Sequence, residues 1–232
     1  MAKDPDLNRR RLILGLAPTA ALTALAATGC GTRQQASSQA SYAPTFFSKS
    51  EWAFITAAVA RIIPAEGEGP GGLEAGVAEF IDRQMELPYG YGAYFYLKGP
   101  FLEGTSPALG YQLRFTPRET YRFGIAAANA ATSTIHQQEF AKLSPADQDA
   151  FLTRMERNQV QFPQVPAPVF FDQLLANSKE GYFADPLYGG NRDMVAWKWI
   201  GFPGARADFT DWLDQAGRNY PYGPVSINGA RG

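Results

Sequence analysis

Thr116-Pro117-Arg118-Glu119 announces the start of a helix. A threonine followed three residues later by glutamate is a capping box, in which each side chain satisfies a free amide of the first helical turn. Proline stands at the first helical position, where its missing N–H costs nothing. A long helix is therefore predicted from here to about Lys142. The device recurs on both sides. Ser48-Lys49-Ser50-Glu51 opens a segment in which Trp52, Ile55, Val59 and Ile62 return at helical spacing until Pro64. Ser144-Pro145-Ala146-Asp147 opens another, with Phe151, Leu152 and Met155.

Two further stripes lack such caps. Leu73, Val77, Phe80 and Ile81 form one, with Glu74, Asp82 and Glu86 placed off it, and it ends at Pro88. Phe170, Phe171, Leu174 and Leu175 form the other. No sustained period-two alternation flanked by hairpin turns is present. The predicted class is all-α: a single compact helical domain with long ordered loops, spanning residues 46–232.

The composition supports a real core and narrows the function. Of 232 residues, 45% are hydrophobic, and every aromatic residue lies at or beyond Tyr42. Beyond residue 30 there are 17 basic and 20 acidic side chains, a net charge of −3. Such a balance does not attract a phosphate backbone, so nucleic-acid binding is excluded as an expectation. There is one cysteine, Cys30, and one histidine, His136. An internal disulfide, a Cys-x-x-Cys-His haem site and a Cys-rich zinc site are therefore unavailable. Neither a phosphate loop nor Gly-x-Ser-x-Gly occurs, and the glycines of Gly67-Glu68-Gly69-Pro70-Gly71-Gly72 fall in a Gly/Pro/Glu turn at residues 65–72. The expectation is a chain without catalytic, cofactor-binding or metal-binding residues. His136 reads as a solvent or interface residue, and Glu66 with Glu68 as a solvated loop.

The first 30 residues read as a leader. Asn8-Arg9-Arg10-Arg11-Leu12-Ile13-Leu14 has the paired arginine and apolar run of a twin-arginine export signal, with Arg9 and Arg10 as the recognised pair. Residues 12–32 are uncharged but alanine-rich, as in a signal peptide, and a retained anchor is the competing reading. Ala27-Thr28-Gly29-Cys30 resembles a lipobox, which makes Cys30 a candidate lipidation site. Ordinary cleavage near Ala24-Leu25-Ala26 is the alternative. Residues 31–45 are mostly Ser, Ala, Gln and Thr and read as a flexible tether. The expected location is periplasmic, on the bacterial inner membrane.

Two loops carry the candidate partner contacts. Residues 88–115 hold eight aromatics among five glycines and three prolines, with Tyr94, Phe95 and Tyr96 consecutive. They either fold under as an ordered loop or face a partner, since tyrosine is favoured at interfaces. The second loop contains Glu180-Gly181-Tyr182-Phe183-Ala184-Asp185-Pro186-Leu187-Tyr188-Gly189-Gly190-Asn191, then Trp197-Lys198 and Gly201-Phe202-Pro203-Gly204. Asp185-Pro186 starts a turn, and the glycines with Asn191 admit left-handed backbone.

That second stretch resembles the C-terminal signature of gluconate 2-dehydrogenase subunit 3, the small or gamma subunit, and the similarity runs from about Phe46 to Tyr222. The resemblance implies a large FAD-containing partner of the glucose–methanol–choline type and a multihaem cytochrome c as third subunit. It implies a small subunit that stabilises and exports the flavoprotein and holds no cofactor itself. Tyr94, Phe95, Tyr96, Tyr188, Gly189, Gly190, Asn191 and Trp197 are then the expected partner contacts. An independent carbohydrate-binding lipoprotein is the alternative function, motivated by the aromatic loop.

Overall fold

A computed structural model describes residues 42–67, 69–102, 105, 106, 109 and 112–232. The expectations on Arg9, Arg10, Cys30, Glu68 and most of the tether lie outside them. Among the described residues six α-helices follow one another: α1 (Lys49–Ile62), α2 (Val77–Met85), α3 (Pro117–His136), α4 (Pro145–Glu156), α5 (Ala167–Phe183) and α6 (Val195–Ile200). Among the described residues there are only isolated bridges in place of strands. The helical class is as expected.

The caps behave as their sequences dictate. Ser48 and Thr116 each form a complete capping box, with Glu51 and Glu119 returning to the cap amide. Ser144 accepts the Asp147 amide, but its hydroxyl donates to the Asp147 carboxylate, so that box is only half made. Helix α3 stops at His136 rather than near Lys142. Gln137 adopts a left-handed conformation (φ 56°), and the Asn129 side chain takes the Phe140 amide at 3.2 Å. This bond turns the chain into a short 3₁₀ turn at Phe140–Lys142 and folds Phe140 into the core.

Helix α5 is the hub and packs against all five other helices. Phe170 on α5 sits between Phe54 of α1, at 5.9 Å, and Tyr121 of α3, at 5.9 Å edge-on. Phe54 continues the stack to Phe140 at 4.7 Å. Helices α3 and α5 come this close because Gly124 presents bare backbone to the Phe170 ring. Each such buried aromatic or aliphatic side chain contributes about 1.5–3 kcal/mol relative to exposure.

The second stripe differs from its reading in two ways. Helix α2 begins only at Val77, after Gly76 in a left-handed conformation (φ 73°), and Leu73 is left partly exposed in the preceding turn. Asp82, expected off the stripe, is fully buried. Its carboxylate accepts five hydrogen bonds from the segment entering the domain. Oδ2 receives the Tyr42 hydroxyl at 2.8 Å, the Thr45 amide at 2.7 Å and the Thr45 hydroxyl at 3.1 Å. Oδ1 receives the amides of Phe46 at 3.1 Å and Phe47 at 2.9 Å. A charge can be buried there because its lone pairs are filled. Burial, then the bond to Asp82, pushes the Tyr42 phenol up to about 12. Tyr42 and Thr45, within the stretch read as tether, are thus bound to the domain. Arg118 and Arg122 complete the clamp, stacking 4.5 and 4.0 Å from the Phe46 ring.

Candidate partner-binding loops

The loop after α5 is built inward before it presents anything outward. Tyr182 donates its hydroxyl to the Pro70 carbonyl at 2.7 Å, tying the end of α5 to the turn before α2. Asp185 then folds back on its own chain: its carboxylate accepts the Leu187 amide at 3.0 Å, the Ser226 hydroxyl at 2.8 Å and the Ile227 amide at 2.8 Å. Burial pushes this carboxyl up, but the two amides and the hydroxyl more than offset it, and it ends below the usual carboxylate value. The bonds from Ser226 and Ile227 fasten the C-terminal tail to the loop.

The glycines are dictated by close approach. Gly189 (φ 97°) lies under the Arg83 side chain, and a Cβ there would meet Arg83 Cδ at 2.8 Å. A Cβ on Gly190 would collide with the Gly181 carbonyl oxygen. Asn191 follows in a left-handed conformation (φ 42°) and is fully buried. Its amide donates to the Gly181 carbonyl at 3.0 Å, and its side-chain oxygen accepts the Ala196 amide at 2.9 Å, starting α6. Asp193 and Met194 also have positive φ, at 54° and 55°. Three non-glycine residues in this region within four positions is costly backbone, held only because its surroundings over-determine it.

Part of that determination is electrostatic. Glu79 on α2 accepts Arg192 at 2.7 Å on one carboxylate oxygen and Arg83 at 2.5 Å on the other. The Arg192 amide also donates to the Ala75 carbonyl at 2.9 Å.

The expected contact residues divide accordingly. Tyr188 is half exposed and Gly189 partly so, whereas Gly190, Asn191 and Trp197 are buried. Trp197 donates its indole N–H to the Phe183 carbonyl at 2.9 Å and meets the Phe202 ring edge-on at 5.1 Å. These three residues build the loop's own framework. In the aromatic loop Phe95 turns inward, with its ring 6.0 Å from Tyr89, while Tyr94 and Tyr96 are 76% and 78% exposed. Tyr94, Tyr96, Lys98, Phe101, Leu109 and Gln112 line a groove of about 390 Å³.

Several outward side chains escaped the sequence reading: Phe183, Leu187, Trp199, Ile200 and Phe202 are all partly exposed. A signal for them exists. Trp197 and Trp199 are two residues apart on a six-residue helix, so they point to opposite sides and cannot share one buried face.

Among the described residues no three His, Cys, Asp or Glu side chains gather as a metal site, and no helix is long and apolar enough to cross a membrane. The structure thus defines a helical domain that displays a rigid, partly apolar loop. The chain belongs to the gluconate 2-dehydrogenase subunit 3 family, whose model matches residues 49–204. The match takes in α1 through α6 and ends just past the loop. No curated protein and no solved structure matches it. A member of this family is a subunit of a multi-subunit dehydrogenase.

Proposed function

We propose that this chain is the non-catalytic small subunit of an exported, membrane-associated, FAD-dependent dehydrogenase that oxidises a sugar, polyol or sugar acid. In this reading it stabilises the flavoprotein subunit and escorts it through twin-arginine export to the periplasmic side of the inner membrane. The observation that carries it is family membership over residues 49–204. FAD belongs to the large glucose–methanol–choline type subunit and haem c to a multihaem third subunit. The residues of this chain do not suit either group: the glycines at 67, 69 and 72 follow helix α1 rather than the strand that a dinucleotide fingerprint needs, and its one histidine and one cysteine cannot supply a haem site.

The leader supports the escort role. Twin-arginine export carries folded cargo, and a flavoprotein must fold around FAD before crossing. Replacing Arg9 and Arg10 with lysine keeps the charge but removes the guanidinium forks, which ammonium groups do not imitate. In that double variant, dehydrogenase activity is expected to collect in the cytoplasm and to vanish from the periplasmic face. A partner that still reaches the periplasm at its normal level carries its own address, which would end the escort reading. The tyrosine-lined groove favours a second reading, an independent carbohydrate-binding protein; sugar binding by the isolated chain, without any flavoprotein, would support it.

A further inference from the structure

We infer that the groove in the aromatic loop is a binding site for a sugar acid, a run of hydroxylated carbons that ends in a carboxylate. The ligand class is argued from the groove alone. That such a ligand is the substrate or product of the same complex rests on the subunit reading above.

The groove stands on a fixed base. Gly92 (φ 75°) is buried, and a Cβ on it would meet Leu97 Cδ1 at 2.8 Å and Thr116 Cγ2 at 3.1 Å, so the loop lies against the cap of α3. The Gly92 amide donates to the Tyr89 carbonyl at 2.9 Å, and the Phe95 amide to the Gly92 carbonyl at 3.0 Å. The Tyr89 hydroxyl is in turn hydrogen-bonded to the buried Asn177 side chain of α5, whose Nδ2 donates to it at 3.0 Å. Loops held on a rigid scaffold in this way are where binding residues concentrate.

The rings set one half of the ligand chemistry. Phe95 turns inward, while Tyr94 and Tyr96 on either side of it remain 76% and 78% exposed and line the groove with Phe101. The negative face of an aromatic ring attracts the polarised C–H bonds of a sugar. At about 390 Å³ the groove falls within the range of small-molecule sites.

The polar lining sets the other half. Gln112 commits its Nε2 to the Leu109 carbonyl at 3.2 Å, which leaves Oε1 to accept a ligand hydroxyl. The hydroxyls of Tyr94 and Tyr96 both donate and accept. Lys98 is exposed and forms no ion pair among the described residues, and it is the one charged side chain among the described lining residues. An apolar ligand would take water from these groups and return no hydrogen bond. One compact ammonium balances one carboxylate. A nucleotide also stacks on tyrosine, but its phosphate brings a charge of about −1.5 to −2 that a single lysine does not match.

The test titrates the full chain without partners with gluconate, sorbitol and acetate, read by heat and by ligand NMR signals. Gluconate is expected to saturate the chain in the millimolar range, about fivefold tighter than sorbitol, the gain that an exposed ion pair allows. Acetate, which lacks the hydroxylated chain, should not bind measurably. Tyr94→Ala/Tyr96→Ala should weaken gluconate about tenfold at an unchanged melting temperature, because both rings face solvent. Lys98→Met should bring gluconate down to the level of sorbitol and leave sorbitol as it was, and Lys98→Arg should restore the difference. Absence of saturable binding, equal affinity for gluconate and sorbitol in the wild type, or affinities that none of these substitutions moves would overturn the inference. Tighter binding of adenosine monophosphate than of gluconate would overturn it as well. Should the tyrosine variant not fold, hydrogen exchange on the wild-type chain decides: amides of 94–101 are expected to slow under saturating gluconate, and unchanged exchange refutes the site. Isolation through a tag on this chain keeps the two readings apart. A chain that binds gluconate but retains no flavoprotein overturns the subunit reading and keeps the site, and one that retains the flavoprotein without binding gluconate does the reverse.

Discussion

The indole N–H of Trp197 donates to the carbonyl of Phe183, 14 residues earlier, at 2.9 Å. This bond closes the loop between α5 and α6 and turns the Trp197 ring into the protein, where only 6% of the residue remains exposed. Trp197→Ala should therefore destabilise the free chain by about 3–5 kcal/mol, as removal of a buried tryptophan commonly does. Denaturant melting of the chain without partners measures it. Wild-type stability with loss of complex alone would make Trp197 a contact residue instead.

Asp82→Ala should free the segment 42–47. The amides of Thr45, Phe46 and Phe47 lose their acceptor, and leaving such groups unsatisfied costs about 1–3 kcal/mol each where water cannot replace the bond. Hydrogen exchange at those three amides should accelerate together, with a lower melting temperature. Unchanged protection at Phe46 and Phe47 would contradict the clamp.

Asp185 gives the protein a pH-dependent element of stability with a definite sign. Its folded carboxyl lies below the unfolded value of about 3.9. Its contribution is thus complete above that value and fades as pH falls through the lower folded one. Asp185→Asn should cost about 2 kcal/mol near pH 7, as a bond to a charged acceptor implies. The gap to wild type should narrow in acid. Chemical unfolding at a series of pH values from neutral to acid tests this, and a gap independent of pH would show that the charge is not what matters.

Gly190→Ala places a methyl group against the Gly181 carbonyl oxygen, backbone against backbone, where no rotamer can yield. A loss of about 1–3 kcal/mol is expected, the range for overpacking. Because the strain falls on the loop, exchange at Asn191 and Ala196 should rise before the α1–α5 core is affected. A neutral substitution would mean that the close approach is not required.

The helices were legible where their signals are local. Ser48, Thr116 and Ser144 each announce a cap within three residues, and Pro117 and Pro145 fix the first turn. What could not be read depends on distant partners. Asp82 looks like a polar-face residue because the amides that fill it come from 35 to 37 positions earlier. Asn129 ends α3 by bonding 11 residues ahead. The loop after α5 stood out by its composition, but composition does not say which side of a loop is buried. Gly190, Asn191 and Trp197 carry the recognisable pattern because they shape the turn, and the shape aims their less distinctive neighbours Leu187, Trp199 and Phe202 outward.

The clamp on Asp82 also sets a leash. Since Tyr42 and Thr45 are fastened to α2, the stretch expected to be a tether ends at Tyr42 rather than at the first helix. Tyr42 lies twelve positions beyond Cys30, and twelve fully extended residue steps span at most about 40 Å. A lipid on Cys30 would therefore keep Tyr42 within roughly one bilayer thickness of the membrane surface. The domain could turn about that point but not wander from it, and any partner it recruits would be gathered into the same thin layer.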